Sequence, residues 1–319
     1  MKKGIIVVSL SLLVISMLFF GCGKKSGKNL ILATGGTSGT YYPYGGAIAQ
    51  IFNTKIQGMN VTAQATGASS ENIRLVGKDE ADLAIVQNDV MDYAYNGTNL
   101  FKDQQVKGIS TVATLYREVV QIAINPNAKI NTIADMKGKK ISVGDAGSGV
   151  EFNATQILAA AGLTFDDLKA SHLSFKESGN AYQDGQLDGF FVTAGIPNAA
   201  IQEITALQKV KLLALDQKTV DKLIKDYPFY TPYVVKKETY KGMTADTLTV
   251  AVKATLIARD DLDETTVYNI TKALFENKDE LGKAHAKGVE LDINEAVKGV
   301  SVPLHPGAKK YYVEKGILK

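Results

Sequence analysis

The chain has 319 residues, a formal net charge of +3, 45% hydrophobic residues and one cysteine. Its length provides for a sizeable core in about two domains, and a single thiol excludes an internal disulfide, leaving stability to packing. The near-balanced charge argues against a nucleic-acid binder, which would carry a basic stripe.

Lys2 and Lys3 precede an uncharged apolar run from Gly4 to Gly21 that ends at Cys22. A basic start, an apolar run and a small residue before the break read as a secretory signal over 1–21. A transmembrane anchor is the rival, because the run is about long enough to span. Cys22 favours the signal, being the only cysteine and closing the run in Gly-Cys. Phe19-Phe20-Gly21-Cys22 resembles a bacterial lipobox, with Phe where Leu and a small residue are usual. That resemblance implies lipid on Cys22, a mature N-terminus there, and a polar tether over 22–28. Loss of Lys2 and Lys3 takes the charge from +3 to +1, since +3 minus two lysines leaves +1 and no acid is lost.

Leu30 to Ala33 is a continuous apolar run, as in a strand buried on both faces. Thr34-Gly-Gly-Thr-Ser-Gly-Thr40 follows, then Pro43 at a helix start and Ile48, Ile51 and Phe52 at helical spacing. Strand, Gly/Ser/Thr loop and helix N-terminus together form a seat for a small anion. The loop lacks both the Walker and the G-x-G-x-x-G spacing, so alone it reads equally well as an ordinary turn. Met59 to Thr66 alternates like a strand and opens into Gly67-Ala-Ser-Ser70, with a helix over 71–76 capped by Ser69 or Ser70. Asp82 to Asn88 reads as a third buried strand ending in two amides. Three strands thus end in small polar residues, as at the ligand-binding edge of an open α/β sheet.

Ile109 to Asn125 is strand-forming with an interruption at Tyr116-Arg117-Glu118, and is long enough to cross between domains. A short helix is expected over 131–137. Lys140 to Val143 then leads into Gly144-Asp-Ala-Gly-Ser-Gly149 and a helix from Glu151 to Ala161, stopped by Gly162. This second glycine loop suggests two similar domains facing each other. Further strands are expected at Leu173–Phe175, Gly189–Pro197 (running into a helix start) and Val210–Leu215. The aromatics of Tyr227–Tyr230 read as core or loop packing. Leu248 to Ala258 reads as the return crossing, and Glu264–Leu281 and Ile293–Val300 as helical.

Seven stretches carry a family resemblance: Thr34–Pro43, Thr66–Asn72, Ala81–Gln87, Val143–Gly149, Gly189–Phe191, Thr271–Phe275 and Pro303–Ala308. With these, in this order across the mature chain, the sequence resembles the TRAP-associated extracytoplasmic immunogenic (TAXI) family, solute receptors of tripartite ATP-independent transporters. Arg117 departs from the proline expected in its Leu-Tyr-x-Glu stretch. The resemblance implies an α/β, type II periplasmic binding protein fold, with two lobes joined by β-strand hinges and the cleft between them. Lobe 1 would comprise 29–118 plus 253–319, and lobe 2 119–252, with hinges near 117–121 and 250–255. It implies a small carboxylate ligand, such as glutamate, glutamine or a related amino or dicarboxylic acid, and membrane TRAP subunits as partners. The expected protein is a monomer, extracytoplasmic and lipid-anchored at the membrane, without cofactor.

Candidate ligand-binding residues are Thr37, Ser38, Tyr41, Tyr42, Ser69, Gln87, Asn88, Tyr116, Glu118, Ser148, Gly149, Asn153, Thr193, Ala194 and Gly195. A buried carboxylate needs several donors, which the Ser38, Ser69 and Ser148 hydroxyls, backbone N–H groups and the Gln87 amide would supply. Gln87 is otherwise a surface amide. Arg74 is a candidate charge partner or a solvated helix residue. Glu118 is a partner for an ammonium group or a surface ion pair with Arg117. Tyr41, Tyr42 and Tyr116 wall the cleft or fill core. An enzyme is disfavoured: His172, His285 and His305 stand in unrelated contexts, and neither G-x-S-x-G nor H-E-x-x-H occurs. A surface interaction lipoprotein and an ABC-type importer receptor stay open as alternatives.

Overall fold

The computed structural model describes residues 28–319. The expected signal, Cys22 and all of the tether but Lys28 lie outside the described residues. Strands and helices alternate from β1 (Lys28–Ala33) and α1 (Tyr41–Lys55) through β2 (Met59–Gln64), α2 (Ser69–Gly77), β3 (Leu83–Gln87) and α3 (Asn88–Asn96) to β4 (Ile109–Ile124). β5 (Lys140–Ser142), α4 (Gly149–Ala160), β6 (Lys169–Ser171), α5 (Phe175–Gln183), β7 (Gly189–Ala194), α6 (Ala199–Leu207), β8 (Lys211–Leu212), α7 (Gln217–Asp226) and β9 (Thr231–Val235) follow. β10 (Thr247–Arg259), α8 (Glu264–Glu276), α9 (Lys278–Ala284) and α10 (Pro306–Glu314) complete the described chain.

One sheet runs β2-β1-β3-β10-β4-β7-β5-β6, with β8 paired to β4 and β9 to β10. β1, β2 and β3 are parallel, as are β5, β6 and β7, while β4 and β10 pair antiparallel to their neighbours. The two long strands change partners midway. β10 pairs β3 through Ala254–Ala258 and β9 through Thr247–Ala251. β4 pairs β10 from Ile109 to Val119 and β7 from Val119 to Ile124. Their shared ladder shifts register between Lys253 and Thr255, so the sheet is irregular where its two halves meet.

Side-chain alternation divides the core. On β3, Leu83 and Ile85 face the cluster under α1, α8, α9 and α10, while Ala84 and Val86 face the cluster under α2 and α3. On β4 beyond Val119, Val120, Ile122 and Ile124 join the cluster under α4 and α7, and Val119 and Ala123 the one under α5 and α6. Each half is therefore a set of three parallel strands extended by the antiparallel β4 and β10 and covered on both faces, which explains its continuous apolar strands.

Several local expectations are corrected. Glu118 does not interrupt β4, which runs unbroken because its polar side chain enters a cavity between the halves. Leu173–Phe175 is no strand: Ser174 and Glu177 form a capping box that starts α5, and the strand lies earlier, at β6. Ile293–Val300 is a run of turns, in which Thr114 takes the carbonyls of Glu295 and Ala296. Glu264–Leu281 breaks at Asn277, whose amide donates to Ala273 O. Neither Ser69 nor Ser70 caps α2. Ala68 precedes it at φ 71°, and Ser69 Oγ instead accepts from Gln87 N–H. The expected helix at 131–137 is a short 3-10 turn over Ile133–Met136, and the Val210–Leu215 strand shrinks to β8. α3, α7 and β9 carried no clear signal in the sequence.

Candidate ligand-binding cleft

Each glycine loop reaches the opposite half, 144–149 touching the Gly67–Ser70 turn and 34–40 touching the residue before α6. Ser70 N–H donates to Gly147 O across the cleft (3.2 Å), and Asn198 Nδ2 donates to Ser38 O (3.3 Å). The Gly67–Ser70 turn and the 144–149 loop are built alike: Gly67 N–H is held by Glu71 Oε2 and Gly147 N–H by Glu151 Oε2, both at 2.6 Å, in the first turns of α2 and α4. At Gly149 a side chain would displace the Gln87 amide, because an added Cβ would fall 2.3 Å from Gln87 Cδ. Gly144 and Gly147 adopt φ 92° and 75°, the left-handed conformation that glycine takes without a Cβ penalty.

Between the loops lies a cavity of about 180 Å³. Its lining comes from the ends of β1, β3 and β7, the side of β4, and the starts of α1, α2, α4 and α5. Four helix N-termini thus converge on one space. Their first-turn N–H groups have no intrahelical partner and their dipoles favour a negative group. The volume is below the range of drug-sized pockets, so the fit is to a small solute.

Of the residues expected in the site, Thr37, Ser38, Tyr41, Ser69, Gln87, Glu118, Ser148, Gly149, Thr193 and Ala194 line this cavity. The others stand elsewhere. Tyr42 is 37% exposed, on the outer side of α1. Asn88 ties α3 to its surroundings, donating to Gly299 O (2.8 Å) and accepting from Lys253 N–H (2.9 Å). Tyr116 packs edge-on against Tyr44 with ring centres 4.9 Å apart. Gly195 backs onto Lys287 and Thr40, where a Cβ would lie 2.9 Å from Lys287 Cε. Asn153 lies behind the cavity, donating to Asp89 Oδ2 (3.2 Å) and Tyr230 Oη (2.8 Å). Arg74 turns away to Ser70 Oγ and stacks over Phe101 at 4.8 Å, so it is not the charge partner of a solute.

Asp145, Ser174, Phe175 and Lys176 line the cavity without having been singled out. The Ser-x-x-Glu box at Ser174 was the available signal, since it puts a helix start, and not a strand, beside the second loop. Lys176 is exposed and pairs with Glu203 (3.0 Å), so no buried cation lines the cavity. The histidines stand apart from it. His172 pairs with Glu151, while His285 and His305 accept from Lys287 N–H and Gly307 N–H.

Burial sets the electrostatics. Glu118 is 2% exposed and accepts from Tyr41 Oη at 2.6 Å. Desolvation pushes its carboxyl up to about 8, against the lowering effect of that hydrogen bond. Arg117, the next residue on β4, is exposed and so projects from the opposite face of the sheet, away from buried Glu118. Tyr41 is raised well above its ordinary value by burial and by Glu118. Asp145 is raised too, by burial and then by Glu177 and Glu71. Asp89, buried at the start of α3, is pushed up to about 7 mainly by desolvation. With its amide turned so that Nε2 donates, Gln87 bridges Asp89 Oδ1 and Gly149 O, each at 3.3 Å.

Behind the cavity a seam joins the halves. Phe152 of α4 is buried between Tyr93 and Phe101, stacked at 6.1 and 5.9 Å. Tyr230 Oη donates to Gln156 Oε1 (2.6 Å), and Gln156 Nε2 to Tyr93 Oη (3.0 Å). Phe152 thereby belongs to the core cluster of the first half although its helix belongs to the second.

Among solved structures the chain is similar to PhnD1 from Prochlorococcus marinus in complex with methylphosphonate, with a TM-score of 0.56 and 10% identity over 91% of this chain and 99% of that one. A putative L-cystine ABC transporter from Listeria monocytogenes matches with a TM-score of 0.52 and 14% identity over 83% and 98%. An ancestral arginine-binding protein bound to arginine matches with a TM-score of 0.52 and 15% identity over 82% and 98%. These likenesses show the fold: two α/β halves joined by β-strands with a cleft between them. A family model described as the NMT1-like family matches residues 32–316, nearly the whole described chain, and the chain belongs to that family.

Proposed function

We propose that the protein is an extracytoplasmic solute-binding receptor of a transporter, capturing one small carboxylate by closing its two halves. The observation that carries this is the cavity of about 180 Å³ lined by both glycine loops and four helix N-termini. A carboxylate there accepts from first-turn N–H groups and from the hydroxyls of Ser38, Ser69 and Ser148, within reach of four favourable dipoles. The moving bodies are 29–118 with 253–319, and 119–252, hinged where β4 and β10 change partners. The role is binding, without catalysis.

Glutamate or a related amino or dicarboxylic acid is the expected solute. The partner is the membrane part of a tripartite ATP-independent transporter of the TAXI type, with the receptor anchored through lipid on Cys22. An ABC-type importer is the second reading, favoured by the ABC transporter named among the structural neighbours. Neighbouring genes for a multi-span permease without an ATPase separate the two.

A thermal-shift panel of amino acids, dicarboxylates, sulfonates, phosphonates and sugars tests the solute class, since a ligand of the folded state raises its stability by RT ln(1 + [L]/Kd). Carboxylates should raise the melting temperature. A shift by sugars alone contradicts the reading.

A further inference from the structure

The seam behind the cavity is polar as well as aromatic, and an acid lies within it. Asp89, in the first turn of α3, is buried, and its Oδ2 accepts from Asn153 Nδ2 of α4 at 3.2 Å. Asn153 also donates to Tyr230 Oη (2.8 Å), Tyr230 Oη donates to Gln156 Oε1, and Gln156 Nε2 returns to Tyr93 Oη of α3 (3.0 Å). All of these side chains are buried. Asn153–Asp89 and Gln156–Tyr93 thus both run from α4 of the second half to α3 of the first. Asp89 itself does not line the cavity.

A carboxylate at this place has donors but no counter-ion. The titratable groups facing Asp89 are Asp92 and Tyr93 on α3, Tyr230 ahead of β9 and Glu118 on β4, none of them cationic. Cations on the adjoining elements turn elsewhere, Arg74 of α2 to Ser70 Oγ and Phe101, and Lys253 of β10 to Lys298 O. A buried carboxylate without a cation is costly where the neutral acid is not. Resting on the receptor reading above, we infer that Asp89 is a proton-operated latch between the halves. With the acid neutral, the α3–α4 seam holds them closed; loss of the proton favours the open form, in which water reaches the carboxylate. The latch sets how firmly the halves hold together and takes no part in recognising the solute.

The direction with pH follows by linkage. In the closed form desolvation pushes Asp89 up to about 7, against the lowering effect of the first α3 N–H groups and Asn153. A hydrated Asp89 returns toward the ordinary value of about 4. Closing therefore takes up a proton between those two values. The ratio of closed to open form is complete below pH 4, falls by up to about tenfold per pH unit between about 4 and 7, and levels off above. Solute captured in acid is held, and it is released more readily as the medium approaches neutrality.

Small-angle X-ray scattering of the solute-free protein from pH 5 to 8 tests the latch, on the intact protein and on Asp89→Asn. The variant keeps an oxygen to accept from Asn153 and cannot ionise, so it stands for the neutral acid at every pH. The radius of gyration of the intact protein should grow as pH rises from 5 to 7. Asp89→Asn should be more compact than the intact protein at pH 7, with a closed-to-open ratio higher by about tenfold or more, and the two should converge toward pH 5. Buried Glu118 is common to both proteins and leaves that difference unchanged. An intact protein of one size from pH 5 to 8 overturns the latch, whatever the variant does. So does an Asp89→Asn curve that follows the intact protein. If the two curves part as expected while no solute of the thermal-shift panel raises the melting temperature, the latch stands and the receptor reading falls.

Discussion

Ser148 serves two ends of one hydroxyl. Its Oγ accepts from Glu151 N–H at 3.2 Å, capping α4, while its proton is free for a solute in the cavity. Ser38 lines the same cavity, and its tie to Asn198 runs through its backbone carbonyl. Ser38→Ala and Ser148→Ala should each weaken solute binding by about 1–3 kcal/mol, the cost of a charged acceptor short of one donor. Only Ser148→Ala should also lower the melting temperature, by an amount equivalent to about 0.5–2 kcal/mol for a lost cap. Calorimetry and thermal melts on both variants check this, and an unchanged affinity removes that serine from the site. Buried Glu118 and Asp89 set the stability of the free protein against pH. Both folded-state values lie above the ordinary carboxyl range, at about 8 and about 7. Their neutral forms are favoured in the fold, so the contribution is complete below pH 4 and is lost as pH rises toward 8. Near neutral pH each group should cost about 1.4 kcal/mol per pH unit until its folded value is passed. Melts from pH 5 to 9 should decline accordingly, and Glu118→Gln should flatten part of that decline.

The elements explain which features were legible. The loops after β1 and before α4 announce themselves through glycine spacing between an apolar run and a helix, because the chemistry of a tight turn is local. Glu118 was visible as a polar residue inside a long strand, but its burial is a consequence of the opposite half and has no local signal. α3 escaped because β3 passes into it directly, with Gln87 as its N-cap, and because Asn88 and Asp89 are polar yet buried. Phe152 reads as an ordinary apolar residue of α4; that it packs into the other half's core is decided by Tyr93 and Phe101 from distant parts of the chain. Phe152→Ala should destabilise the protein by about 3–5 kcal/mol, measured by denaturant melts, and a negligible change would deny the seam any part in holding the halves. Gly149→Ala makes the complementary test. Alanine suits a helix better than glycine, yet its Cβ would fall 2.3 Å from Gln87 in the closed arrangement. The variant should keep its melting temperature and lose about tenfold or more in affinity, about 1.4 kcal/mol. Wild-type affinity would mean that Gln87 and Gly149 need not meet when solute is bound.

At the scale of the molecule, two strands carry the connection between the halves, and both change partners close to the cavity wall that Glu118 supplies. Rotation there requires dihedral changes in few residues, around Val119 on β4 and Ala251–Thr255 on β10, where the ladder is already irregular. The arrangement described here is closed: Ser70 meets Gly147, Asn198 meets Ser38, and Phe152 is buried across the seam. These contacts draw both halves around the cavity, and the expected cycle is that opening at the hinges admits solute and closing retains it. Small-angle X-ray scattering of the protein, first alone and then saturated with the amino acid giving the largest thermal shift, tests this most directly. The account predicts a smaller radius of gyration with solute, approaching the value calculated from the closed arrangement. An identical curve with and without a solute whose binding calorimetry has established would contradict closure as the means of capture.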